Sequence, residues 1–131
     1  MGRWGVGSIE NDDAACWLAK LGSITADDLT KIFLHAADNP GYLEEPDASV
    51  AVAAAEVIAA LNGSPAARVP QEIVEWTKGN REASTPDLKA LAIRALERVR
   101  RNSELKDLWL EADGLNDWTA AIHDLQTRLE L

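Results

Sequence analysis

The chain has 131 residues, 47% of them hydrophobic, and a formal net charge of −9. That length suits one domain with a core of its own, and the composition excludes a disordered chain. The charge disfavours nucleic acid, whose phosphates are bound by clustered cations, and it is uneven: residues 1–60 hold three Lys or Arg against ten Asp or Glu, residues 61–131 ten against twelve. The acidic front half leaves basic proteins or metal ions as partners. A single cysteine, Cys16, excludes an internal disulfide and suits a reducing cytoplasm. The opening "MGRWGVG" has no apolar core of a signal peptide, and the longest apolar run, residues 50–55, is too short for a bilayer. The expected setting is cytoplasmic, with no membrane and no nucleic acid.

No stretch alternates apolar and polar residues as a half-buried strand does. Helical spacing recurs instead. Ala14, Trp17, Leu18 and Leu21 fall on one face, behind Glu10, Asn11, Asp12 and Asp13, and Gly22 reads as the stop. Thr25 and Asp28 form a variant capping box before a face of Leu29, Ile32, Phe33, Ala36 and Ala37, and "DNPG" at 38–41 ends that helix. Residues 48–61, "ASVAVAAAEVIAAL", have no wet face, which predicts a central, enclosed helix. Pro70 opens a shorter helix through Trp76 to near Gly79. Thr85 and Pro86 start the next, with a stripe from Leu88 to Val99 and Arg98, Arg100 and Arg101 at its end. Ser103 starts another, with Leu105, Leu108, Trp109 and Ala112 inward and Gly114 as its stop. Asn116 is expected to cap the last, which carries Trp118, Ala121, Ile122, Leu125 and Leu129. The pattern predicts an all-α single domain over residues 1–131: a bundle of six or seven helices around the alanine-rich one, with an extended N-terminal arm over residues 1–9.

Two features carry candidate chemistry. Asn11, Asp12 and Asp13 could meet Glu56 and the acids Glu44, Glu45 and Asp47 around a hard cation, although a capped helix start explains the first three without metal. Glu56 is the only charge in the apolar helix, so it must be paired, hydrogen-bonded or protonated. The favoured reading is a structural clasp, with donors from the N-terminal arm: backbone N–H groups at its glycines, the Trp4 indole or Arg3. Trp4 would anchor that arm in an apolar pocket. The glycines of "GRWGVG" are no phosphate loop, because no strand precedes them. His35 and His123 have no ligand spacing, and Cys16 follows two acids that disfavour its thiolate. No metal and no cofactor is therefore expected. "RALERVRR" reads as a solvated helix end. Of the five tryptophans, Trp17, Trp109 and Trp118 fall on apolar stripes; Trp76 is expected to be partly exposed and is the candidate interface residue.

"WGVGSIENDDAACW" and "AAAEVIAALNG" together resemble the family known as domain of unknown function 4259. Its members open with W-G-x-G-x-F-E-N-D-D-A and carry an alanine-rich A-A-A-E-V-V-A-A helix. The matching positions are Trp4, Gly5, Gly7, Glu10, Asn11, Asp12, Asp13 and Ala14, then Ala53, Ala54, Ala55 and Glu56; Ile9 stands where Phe is usual, and Cys16 where an acid often sits. The resemblance implies an all-helical cytoplasmic protein of bacteria and implies no activity.

Small size, acidity and the lack of a catalytic constellation favour a non-enzymatic protein-binding module, monomeric or a small homo-oligomer, with a basic protein as partner. An immunity or antidote protein covering a basic toxin's site is its concrete form. The alternatives are a metal-dependent hydrolase or small-ligand-binding protein using Asp12, Asp13 and Glu56, and a structural subunit of an oligomer.

Overall fold

The computed structural model describes Gly7 and residues 10–131. Among these residues lie seven α-helices and no strand: α1 Asp12–Leu18, α2 Ala26–Ala37, α3 Glu45–Leu61, α4 Gln71–Gly79, α5 Pro86–Arg101, α6 Glu104–Glu111 and α7 Leu115–Glu130. Short 3₁₀ turns occupy Leu21–Ser23 and Arg81–Ala83. The all-α bundle is the one the apolar spacing predicts. Apart from Gly7, the expected arm over residues 1–9 lies outside the described residues.

Helix starts follow the short polar side chains. Asn11 accepts the Ala14 N–H at 2.8 Å and begins α1. At α2 the capping box is complete: Thr25 Oγ1 accepts the Asp28 N–H at 3.2 Å, and Asp28 accepts the Thr25 N–H at 2.9 Å. Thr85 and Ser103 cap α5 and α6 by the one-way bond alone, accepting the Leu88 and Lys106 N–H groups, both at 3.1 Å. Each such cap contributes about 1 kcal/mol. Helix α3 differs, because Glu44 makes no side-chain cap. A neighbour supplies one: the Glu104 carboxylate, at the start of α6, accepts the Glu45 N–H at 2.7 Å, while the Glu104 N–H donates to the Leu43 carbonyl at 2.8 Å.

Eleven of the seventeen α3 residues are buried, and α3 packs against each of the other six α-helices. Its alanines make this feasible, since a helix with short side chains lets neighbours approach on every side. Around it close Trp17 and Leu18 from α1, Leu29 and Phe33 from α2, Ile73 from α4, Leu96 and Val99 from α5, and Trp118, Ile122 and Leu125 from α7, in one hydrophobic core. The end of α5 is tied down by its arginines. Arg98 donates to the Asn39 and Gly41 carbonyls, both at 2.6 Å, Arg94 pairs with Asp38, and Arg100 and Arg101 share Glu97. The expected solvated helix end is thus right for exposed Arg101, whereas Arg98 fastens the loop after α2.

Four local expectations are corrected. Helix α1 stops at Leu18 rather than at Gly22, because Ala19 and Lys20 donate to nearby carbonyls and the chain tightens into a turn that buries Leu21. Helix α7 begins at Leu115 with Gly114 at the cap position, and Asn116 lies inside its first turn. A Cβ on Gly114 would sit 2.5 Å from Trp109 Cε3, so the close approach of α6 and α7 selects glycine there. On α6 only Leu105 is buried; Leu108 and Trp109 are half-buried and Ala112 is exposed, since a two-turn helix at the rim presents little surface to the core. Trp76, expected to be partly exposed, is buried at 5% exposure. Helix α4 packs on the Leu21–Ser23 turn, and the Trp76 indole N–H donates to the Ile24 carbonyl at 2.9 Å, so the ring joins the core with its polar end satisfied.

Candidate functional site

The chemistry-bearing positions singled out from sequence fall into two places. Asn11, Asp12 and Asp13 form the start of α1: Asn11 is buried as its cap, and the two aspartates occupy the first turn, where carboxylates suit the helix dipole. Trp4 lies outside the described residues. Glu56 sits on α3, 6% exposed, and meets Arg128 of α7. The contact is a two-pronged fork, with Nη1 to Oε1 and Nη2 to Oε2 both at 2.8 Å. Arg128 Nη1 also donates to the Ser64 carbonyl at 3.2 Å, and its Nε donates to Asp124 at 2.9 Å. The guanidinium is thereby held between the central helix, the loop after it and its own helix. The bond to Glu56 raises the Arg128 pKa well above its ordinary value, against the opposing effect of burial.

The buried glutamate is therefore clasped, as its position in an apolar helix requires. Of the donors expected from the N-terminal arm, the Gly7 N–H goes to Glu10 instead, the others, including Arg3, lie outside the described residues, and Arg128 was not anticipated. It is the only Lys or Arg of the last helix, one position before the buried Leu129. A lone cation flanking an apolar stripe was the available signal.

The acids considered for metal binding do not gather. Asp47 meets His35 at 3.1 Å on the surface, the Glu45 N–H is capped by Glu104, and Glu56 is engaged by Arg128. Among the described residues no group of three or more His, Cys, Asp or Glu could hold a metal ion. Cys16 is exposed. No helix among the described residues is long and apolar enough to cross a membrane.

Two surface features remain. The first is a pocket of about 640 Å³ beside the Glu56–Arg128 pair, walled by α3, α4, α7, the loop at 66–70, and Gly7 and Glu10 ahead of α1. The second lies at α6. Tyr42, in the loop before α3, is 54% exposed, and its hydroxyl donates to Asp107 at 2.6 Å. That bond, with the charges of Asp107, Glu104 and Glu111, pushes the phenol pKa up to about 12. Leu110, on the same helix, is 55% exposed. Sequence reading missed Tyr42 because nothing local marks a loop tyrosine that a distant acidic helix surrounds.

Residues 2–121 match the family model described as Domain of unknown function (DUF4259). The chain belongs to this family. No curated protein and no solved structure matches it. Within this DUF4259 domain, Asn11, Asp12 and Asp13 of the resemblance stand at the start of α1, and Glu56 in α3 receives Arg128.

Proposed function

We propose that the chain is a non-enzymatic protein-binding module whose docking face is centred on Tyr42 and α6, and whose partner is a basic protein. The observation that carries this reading is an exposed aromatic ring set among carboxylates. Tyr42 is held by Asp107, with Glu104 and Glu111 acting on the same phenol and Leu110 exposed nearby on the helix. Tyrosines are enriched among residues that dominate binding energy, and a surrounding charge of one sign steers an oppositely charged partner and speeds encounter. The hydroxyl remains protonated at neutral pH, so the ring presents a neutral surface beside the acids. The net charge of the whole chain has the same sign, at −9. An immunity or antidote role, in which this face covers the basic site of a toxin, is the concrete form of the proposal.

The test is affinity capture from the source cells with three baits: the unaltered chain, Tyr42→Ala and Asp107→Asn. The expected result is a basic protein retained by the unaltered chain, released by salt, and weakened by about thirtyfold or more with Tyr42→Ala, the scale of a hot-spot truncation. Equal retention by all three baits would refute the docking face.

A further inference from the structure

We propose that the Tyr42 face recognises an arginine side chain of its partner, with the guanidinium stacked on the phenol ring and hydrogen-bonded to Asp107 and Glu111. The inference rests on the docking face proposed above and names the group that this face reads. An exposed loop tyrosine ordinarily keeps its freedom, but this one is held on every side. Before it, Arg98 of α5 donates to the Asn39 and Gly41 carbonyls, both at 2.6 Å. After it, the Leu43 carbonyl accepts the Glu104 N–H at 2.8 Å, and the Glu104 carboxylate accepts the Glu45 N–H at 2.7 Å. The hydroxyl itself donates to Asp107 at 2.6 Å. The loop is thus pinned to α5 and α6 while Tyr42 stays 54% exposed. A ring already oriented spares the partner the entropy of ordering it.

The chemistry of the face selects a cation. With its hydroxyl committed to Asp107, the ring offers its faces, whose negative potential attracts positive charge. A cation over this ring also stands beside the carboxylate that holds the hydroxyl. Asp107 accepts through Oδ2 alone, and Glu104 and Glu111 act on the same phenol. Elsewhere Asp38, Glu97 and Asp124 each have an arginine at ion-pair distance, whereas among the described residues no Lys or Arg pairs with Glu104, Asp107 or Glu111. Lys106, the one cation of α6, donates to the Arg101 carbonyl at 3.2 Å instead. The positive charge that would complement ring and carboxylates together therefore comes from outside the chain. Arginine suits it better than lysine. A planar guanidinium stacks flat on an aromatic face and points several N–H groups outward in its own plane, toward the acids; an ammonium is compact and more strongly hydrated.

Capped Gly-Arg-Gly, Gly-Lys-Gly and Gly-citrulline-Gly peptides are the probes, titrated into the full chain and followed by amide chemical shifts. Expected are saturable shifts at residues 42, 107, 110 and 111 with the arginine peptide, about threefold weaker binding of the lysine peptide, and no saturable binding of the neutral citrulline peptide. Tyr42→Phe keeps the ring and should keep the preference for arginine. Tyr42→Leu keeps an exposed apolar side chain without a π face and should lose it; neither change touches the core. Arginine and lysine peptides binding alike, citrulline binding as tightly as arginine, shifts confined to another face, or an arginine preference that survives Tyr42→Leu would each overturn the proposal. The two readings fail separately. A captured partner that Tyr42→Ala loses, with no arginine preference among the peptides, removes the arginine and leaves the docking face. An arginine preference with equal retention by all three baits removes the docking face as the seat of the captured protein and leaves the arginine site.

Discussion

Removing either partner of the Glu56–Arg128 pair should destabilise the fold, and unequally. Glu56 has a side-chain exposure of 7% and Arg128 one of 16%. Arg128→Met strips the two 2.8 Å donors from a carboxylate with almost no access to water. Breaking a buried pair by removing one member costs about 3–5 kcal/mol, because the bidentate counter-charge is lost from the buried side. Glu56→Leu is milder. Arg128 then keeps the Ser64 carbonyl and Asp124, whose side chain is 68% exposed, and has more water within reach. The cost should be about 1–3 kcal/mol, that of leaving a partner under-satisfied. The double variant should cost less than Arg128→Met alone, since an apolar pair of similar volume carries no stranded charge. Urea unfolding followed by tryptophan fluorescence reads these differences directly, with buried Trp17, Trp76 and Trp118 as reporters. A cost below 1 kcal/mol for Arg128→Met, or simple additivity in the double-mutant cycle, would refute the clasp. Stabilisation by Glu56→Leu would likewise transfer Glu56 from the architecture to a function.

Gly114→Ala should lower stability by about 1–3 kcal/mol, the cost of overpacking, because its Cβ would meet the Trp109 ring at 2.5 Å; an unchanged urea midpoint would show that the ring yields freely. Bonds from Arg100, first, and Gln126 hold the Glu97 pKa at about 2 rather than 4.5. A depressed carboxylate stabilises the fold above its unfolded value and loses that contribution as pH falls through the folded one. The stability difference between the unaltered chain and Glu97→Gln should therefore shrink from about pH 4.5 toward pH 2, and a constant difference across that window would contradict the assignment. Hydrogen exchange should find the amides of residues 53–59 among the slowest, since all seven residues are buried within α3; fast exchange there would remove α3 from the centre of the bundle.

Much of the architecture was legible in the chain because it is written in local terms. Thr25, Thr85 and Ser103 satisfy N–H groups only three residues away, so their helix starts can be read from neighbours in sequence. The apolar run of residues 48–61 has no face for water, which by itself requires enclosure. The same logic required a partner for Glu56 but could not name Arg128, which lies 72 positions away and is brought in by the packing of α7 on α3. Trp76 lost its expected exposure for a similar reason: its indole finds a carbonyl 52 positions distant. Gly114 as a helix start, the capping of Glu45 by Glu104 and the acidic surroundings of Tyr42 also exist only once α6 is docked between α3 and α7. Periodicity and caps act within a turn or two and are settled by the sequence alone. Charge pairing and pocket shape depend on which helices meet, and distances across the bundle are set by side-chain volume in the core. Only the tertiary structure decides those.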